Sequence, residues 1–130
     1  MTELALKVAE TPTVKVWVED GICWYVIKDG VKETEEIAKR DLEATKHLLV
    51  PKPENLMLVD LSGVKSMTKG ARDFHASDAT KTYAKAAALV IKSPVSRVIG
   101  NFFIGLNKPK FPTKLFTSEE EAVRWLKEVE

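Results

Sequence analysis

A single cysteine, two histidines and no long apolar run set the first limits on this 130-residue chain. Cys23 alone forbids an internal disulfide and any multi-thiolate metal site. His47 and His75 are far apart and lack a local cluster of ligands, which leaves out a histidine-rich metal centre and gives a Ser/His or Cys/His catalytic system few pieces to work with. No apolar stretch approaches the roughly 18 residues of a membrane helix. The opening Met1-Thr2-Glu3-Leu4 places an acid where a signal peptide carries cations, so the expected location is the cytoplasm. Repeats and low-complexity tracts are missing too. The composition is that of one globular domain spanning residues 1–130, with 45% apolar and 30% charged residues. A chain of this length buries roughly two-thirds of its unfolded surface and needs neither metal nor disulfide as a staple. No cofactor is expected.

The net charge of +1 conceals a bias. From Lys65 to Lys114 there are ten basic residues against Asp73 and Asp78, giving +8, while residues 1–64 sum to −4 and residues 115–130 to −3. The acidic flanks and the lack of basic-aromatic interleaving argue against a nucleic-acid partner. The basic middle has two readings. It is either a solvated surface paired with acidic helices, or a patch in which Lys65, Lys69, Arg72, Lys108 and Lys110 converge near helix N-termini and attract an anion.

The strongest local pattern is Thr13 to Ile27, two β-rich runs around Asp20-Gly21, the dipeptide a type I′ hairpin favours. That turn pairs Glu19 with Ile22, Trp17 with Trp24 and Val14 with Ile27. Val14, Val16, Val18, Cys23, Tyr25 and Ile27 then share an apolar face on which Cys23 is a small core residue. Lys15, Trp17, Glu19, Ile22, Trp24 and Val26 share a mixed face. Its tryptophan pair is either covered by a helix or exposed as an association surface. Residues 1–12 read as a peripheral strand, from Leu4, Leu6 and Val8, or as a loose arm.

Thr34 caps a helix running to about Leu49 with Ala38, Leu42 and Thr45 inward, and Pro51 and Pro53 end it. Leu56 to Leu61 reads as a strand buried on both faces. A helix over Thr68 to Ser77, a strand over Ala86 to Ile91 and a helix capped by Ser93-Pro94 follow. Val95, Val98, Ile99, Phe102, Phe103 and Leu106 define the inner stripe expected of that last helix. Arg97, Gly100, Asn101 and Ile104 fall on its other side, where Gly100, at about 1 kcal/mol relative to alanine, implies close packing or approach. Lys114 to Phe116 is a short strand, and Ser118 with Glu121 opens a final helix. The expected fold is α/β: a mixed, mainly parallel sheet of about five strands, built as a hairpin followed by α-β-α-β-α-β-α.

This order, with Leu58-Val59-Asp60-Leu61-Ser62-Gly63-Val64 running into a loop and helix, resembles the STAS fold of sulfate transporters and anti-sigma factor antagonists. More narrowly, Ser93 to Phe103, then Pro112-Thr113, Leu115-Phe116, Glu121-Ala122 and Trp125-Leu126, are similar to the small bacterial SpoIIAA-like proteins. The resemblance implies a non-enzymatic, protein-binding or regulatory domain. In the antagonists a serine at the helix start is phosphorylated by a partner kinase. The matching segment here, Lys65 to Gly70, lacks their acid-serine-serine core, is about one residue shorter, and offers Ser66 and Thr68 as hydroxyls beside Asp60 at the strand end. The simpler role of Thr68 is a helix cap. The partner is expected to be another protein or a second copy, a two-fold dimer being the commonest assembly. Interface candidates are Trp17, Trp24, Arg97, Asn101 and Ile104. The alternative is a carrier of a small anionic or lipid-like ligand, held in a cavity under the Phe102-Phe103 helix as in the similar Sec14-type fold. An enzyme built on Asp60 and His75 is the third reading.

Overall fold

Asp20 and Gly21 both take positive φ, 55° and 77°, the conformation a type I′ turn demands. Strands β2 (Val14–Glu19) and β3 (Ile22–Ile27) therefore pair in the register expected, Trp17 opposite Trp24 and Val14 opposite Ile27. The computed structural model describes residues 7–129. Leu4 and Leu6 lie outside them, but β1 (Lys7–Glu10) is a true strand, antiparallel to β2 with Val8 opposite Trp17.

After β3 come a short β4 (Lys32–Glu33), α1 (Glu35–Thr45) with a 3-10 turn over Lys46–Leu48, and β5 (Asn55–Asp60). Thr34 caps α1 by accepting from the Ile37 amide at 3.3 Å. Then follow β6 (Ser66–Met67), α2 (Lys69–His75), α3 (Asp78–Lys81) and β7 (Ala84–Val90). The chain closes with α4 (Pro94–Phe102), a π-turn over Phe103–Asn107, β8 (Thr113–Phe116) and α5 (Glu119–Glu128). The main sheet has the order β1-β2-β3-β5-β7-β8, with β1 to β3 antiparallel and β3, β5, β7 and β8 parallel. It holds six strands rather than about five, because Lys7–Glu10 adds β1 at its edge. A separate two-stranded ladder joins β4 to β6, pairing Lys32 with Ser66 and Glu33 with Met67.

The layering follows from chirality. Each parallel crossover steps the same way across the sheet, and right-handed crossovers then put α1, α2, α3 and α4 on one face. Only α5 packs on the other, over β5, β7 and β8. Strand alternation divides the core accordingly. Val14, Val16, Cys23, Tyr25, Ile27, Leu89, Ile99 and Phe103 cluster on the many-helix face, while Ile22, Leu58, Ala86, Ala88, Val90, Ala122 and Leu126 cluster under α5. The alanines of β7, compatible with helix by propensity, lie in a strand because parallel neighbours claim its backbone on both sides.

The apolar stripe expected to face inward on α4 is corrected. Of its six members only Ile99 and Phe103 are buried; Val95, Val98, Phe102 and Leu106 are 44%, 52%, 46% and 69% exposed. The helix is rolled so that Ser96, Ile99, Gly100 and Phe103 meet the sheet. Gly100 is the cause. A Cβ there would stand 3.0 Å from Leu115 and 3.1 Å from Ile91, so the backbone approaches closely through the one residue without a side chain. Ser96 is fully buried but satisfied, donating to the Ser93 carbonyl at 2.8 Å and accepting from the Ser93 amide at 3.0 Å.

Candidate functional site

The carboxyl ends of the parallel strands carry the loops in which ligands of α/β sheets usually bind. Asp60, at the end of β5, accepts from the Ser62 amide at 2.9 Å, and the Ser62 hydroxyl accepts from the Lys92 amide at 3.2 Å. Gly63 presses against the neighbouring turn: its carbonyl accepts from the Gly30 amide at 2.7 Å, and a Cβ on it would lie 2.9 Å from the Asp29 Cα. Gly63→Ala should therefore cost about 2 kcal/mol by overpacking. Urea midpoints at constant m will measure it, and a loss under about 0.5 kcal/mol would mean that the Asp29 turn gives way freely.

In the segment matching the switch loop, Ser66 is exposed on β6 while the Thr68 hydroxyl caps α2, accepting from the Ala71 amide at 3.1 Å. Asp60 shares a sheet row with Val26 and Val90, the α5 side by alternation. His75 lies on the opposite side, over the many-helix face, and its Nε2 donates to Glu33 Oε1 at 2.8 Å. The sheet thus stands between the two residues of the enzyme reading.

The basic candidates are partly spoken for. Lys69 pairs with Asp73 at 2.8 Å, a contact that holds the Asp73 carboxyl below its ordinary range, and Lys110 pairs with Asp78 at 3.3 Å. Arg72 Nε donates to Asn107 Oδ1 at 3.3 Å and its guanidinium sits 5.5 Å from the centre of the Phe102 ring. Asn107 in turn donates to Asp73 at 2.5 Å. Lys108, in left-handed conformation at φ 47°, ends the π-turn beside this knot. Arg72, Asn107 and Lys108 thus come together at one end of α4. Lys110 is drawn instead to the start of α3, and Lys65, exposed, donates its amide to the Val31 carbonyl at 2.8 Å.

Trp17 and Trp24 stack with centroids 5.6 Å apart and ring planes 8° from parallel. Both are half-buried on the α5 face, and Trp17 Nε1 donates to Glu19 at 3.2 Å. Arg97 and Asn101 are exposed on α4 and Ile104 is half-buried just beyond it, across the sheet from the tryptophans. The five interface candidates thus divide between two faces.

Under α4 lies a cavity of about 100 Å3 whose lining is almost wholly apolar. It opens where Ala84 and Ala87 of β7 leave the sheet thin and where Phe103, Phe74 and Leu42 bridge from the helices. Two buried acids lie outside its lining, neither prominent in the sequence because both occur among surface-type charges. Asp41 is fully buried and accepts from Thr11 at 2.8 Å and Thr13 at 2.6 Å. Glu33 is also fully buried; only its Oε1 is bonded, and Oε2 has no partner among the described residues. The Tyr25 hydroxyl is held well above its ordinary pKa, first by burial and then by the charges of Glu33 and Asp41.

The sheet order, the single helix on one face and the loop after β5 define a class, and comparison with solved structures agrees. The chain is similar over 97% of its length to an uncharacterised protein of the DUF3478 family from Shewanella loihica PV-4, covering 98% of it at 16% identity with a TM-score of 0.58. That protein has a SpoIIAA-like fold, and the present chain has that fold. It belongs to the family described as "Domain of unknown function (DUF7793)", whose model matches residues 16–130. A protein of unknown function from Arthrobacter sp. FB24 is 35% identical over 85% of this chain and 96% of its own, with a TM-score of 0.31. No curated protein matches the chain. No helix among the described residues is long and apolar enough to cross a membrane.

Proposed function

We propose that the domain is a non-catalytic protein-interaction module whose docking face is the outer side of α4, and that its partner offers an acidic amphipathic helix. The exposed row Val95, Val98, Phe102 and Leu106 carries the reading. These residues recur at helical spacing, on a helix whose other side is already satisfied by the sheet. Four large apolar side chains left in water along α4 and the π-turn that continues it mark a surface that a partner covers.

Charge selects the partner. Between Ala79 and Ser118 the chain has seven cations and no acid. Arg97 is on α4 itself, and Arg72 and Lys108 stand at its end. The two acids nearby, Asp73 and Asp78, are occupied by Lys69 and Lys110. A second copy docked by a two-fold axis would bring like cations together, whereas an acid-flanked helix meets complementary potential. Asp60 and His75, separated by the sheet, give no joint proton-transfer site.

Selection from a display library of amphipathic helices with randomised flanking residues tests this. Glu- and Asp-flanked helices should be enriched, with binding that weakens as salt rises. The double change Val98→Asp with Phe102→Asp should abolish that binding while costing no more than about 2 kcal/mol of stability, since Val98 is exposed and Phe102 gives up only its contact with Arg72 and the covered part of its ring. Enrichment of basic helices, binding indifferent to the double change, dimerisation through this face, or binding of phosphatidylglycerol vesicles in place of the helices would each overturn the reading.

A further inference from the structure

Phe102, in the exposed apolar row of α4, carries a cation on its ring: the Arg72 guanidinium lies over it, 5.5 Å from the ring centre. The ring attracts the cation but offers no lone pair to its N–H groups. Arg72 Nε donates instead to Asn107 Oδ1 at 3.3 Å. The side chain is thus half-buried and held at two points, while among the described residues no acceptor takes its two terminal amino groups. The adjacent acid does not fill them, because both of its oxygens are engaged. Asp73 Oδ1 accepts from Asn107 Nδ2 at 2.5 Å, and Oδ2 accepts from Lys69 Nζ at 2.8 Å. Asn107 therefore bridges the pair, donating to the acid and accepting from the arginine. A guanidinium fork already fixed by a ring and a hydrogen bond gives up less freedom on binding than a loose side chain, and its two free amino groups match the two oxygens of a carboxylate.

We propose that Arg72 is the residue that sets the register of the docked helix: its terminal amino groups hold one Glu or Asp carboxylate of the partner in a bidentate pair. That acid lies within about one helical turn of the partner's apolar side chain over Phe102, since the 5.5 Å between guanidinium and ring is close to the pitch of a helix, about 5.4 Å. The assignment rests on the docking reading given above and adds a selective position to it. Arg97, exposed on α4, draws in acidic partners by charge alone, whereas the anchored fork of Arg72 distinguishes one carboxylate from the rest.

The probes are an acidic amphipathic peptide enriched in the display selection and a set of variants in which each of its Glu or Asp residues is changed in turn to the amide. Calorimetric titration gives Kd for each against the unaltered protein, Arg72→Lys and Arg72→Gln. With the unaltered protein one amide change should weaken binding about tenfold, the scale of a bidentate charged pair, and the others about twofold or less. Arg72→Lys keeps the stem and the charge but not the fork, so that same change should then cost about threefold; with Arg72→Gln it should cost about onefold. Arg97→Gln should weaken all the peptides alike. Should Arg72→Gln fail to fold, the comparison with Arg72→Lys decides alone. The assignment is overturned, with the docking face left standing, if every amide change costs the same in the unaltered protein and in Arg72→Lys, or if the selective loss follows Arg97, while Val98→Asp with Phe102→Asp still abolishes binding. It falls together with the docking reading if no acidic helix is enriched or if that double change leaves binding intact.

Discussion

Replacing Asp41 by alanine is expected to lower the unfolding free energy by about 3 to 4 kcal/mol, a large part of the roughly 5 to 15 kcal/mol typical of a domain. The carboxylate is fully buried and is the shared acceptor of Thr11 Oγ1 at 2.8 Å, Thr13 Oγ1 at 2.6 Å and the Arg40 guanidinium at 3.2 Å. These contacts join α1 to the bend between β1 and β2. Thr11 also accepts from the Thr13 and Val14 amides at 3.1 and 3.0 Å, so loss of the acid loosens the entry to β2 as well as the helix. Alanine leaves two hydroxyls and a guanidinium without their acceptor, and the cost of stranded donors is added to that of the lost bonds. The milder change Asp41→Asn keeps one acceptor oxygen and should recover about half of the loss. Urea unfolding at constant m measures both, and a double-mutant cycle with Thr13→Val should return a coupling of at least about 1 kcal/mol. An Asp41→Ala loss under about 1 kcal/mol would show that the cluster is solvated rather than structural.

What the sequence makes legible is what neighbours along the chain decide. Asp20-Gly21 sets the hairpin turn, the turn sets the register, and the register sets which of Trp17 or Tyr25 faces which layer, all within Thr13 to Ile27. Thr34, Thr68, Ser93 and Ser118 each cap the helix they precede, because the cap hydroxyl reaches an amide only three positions on. What it leaves hidden depends on partners far along the chain. Asp41 looks like part of the charged side of α1, yet it lies one turn from Ala38 and Thr45, and only Thr11 and Thr13, distant in sequence, make its burial tolerable. Glu33 likewise depends on His75, 42 positions away.

The roll of α4 shows the limit of periodicity most clearly. Hydrophobic spacing selects Val95, Val98, Phe102 and Leu106 as well as Ile99 and Phe103, and cannot distinguish a face that meets the sheet from one awaiting a partner. The deciding residue is Gly100, which has no place in that apolar stripe and whose missing side chain lets Leu115 and Ile91 approach. Its cost in helix propensity was the available signal. The cavity has a related origin: alanines along β7 are small on both faces, but α5 closes onto Ala86 and Ala88 on one side, whereas bridging side chains span the gap above Ala84 and Ala87 on the other.

The largest single effect of solution conditions should come at alkaline pH. Burial pushes the Cys23 thiol from its ordinary value of 9.0 up to about 12, since a thiolate on the apolar hairpin face would have no solvent. Well below its ordinary value the thiol is protonated in both the folded and the unfolded chain and contributes no pH dependence. Between pH 9.0 and about 12 the unfolded chain releases this proton and the folded one retains it. The unfolded state then binds fewer protons, and stability falls with rising pH by about 1.4 kcal/mol per unit, on the order of 4 kcal/mol by about pH 12. Tyr25, raised above its ordinary 10.0 by burial and by Glu33 and Asp41, adds a loss of the same sign above pH 10. Unfolding should therefore set in below about pH 12. Cys23→Ala removes the first contribution, so its stability should be flat between about pH 9 and 10, where that of the unaltered protein declines, and should fall only as Tyr25 comes into play. Urea denaturation at half-unit steps from about pH 8 to 11 reads the difference directly. Equal slopes for the two proteins between about pH 9 and 10 would show that Cys23 ionises in place, and with it that the hairpin face admits water.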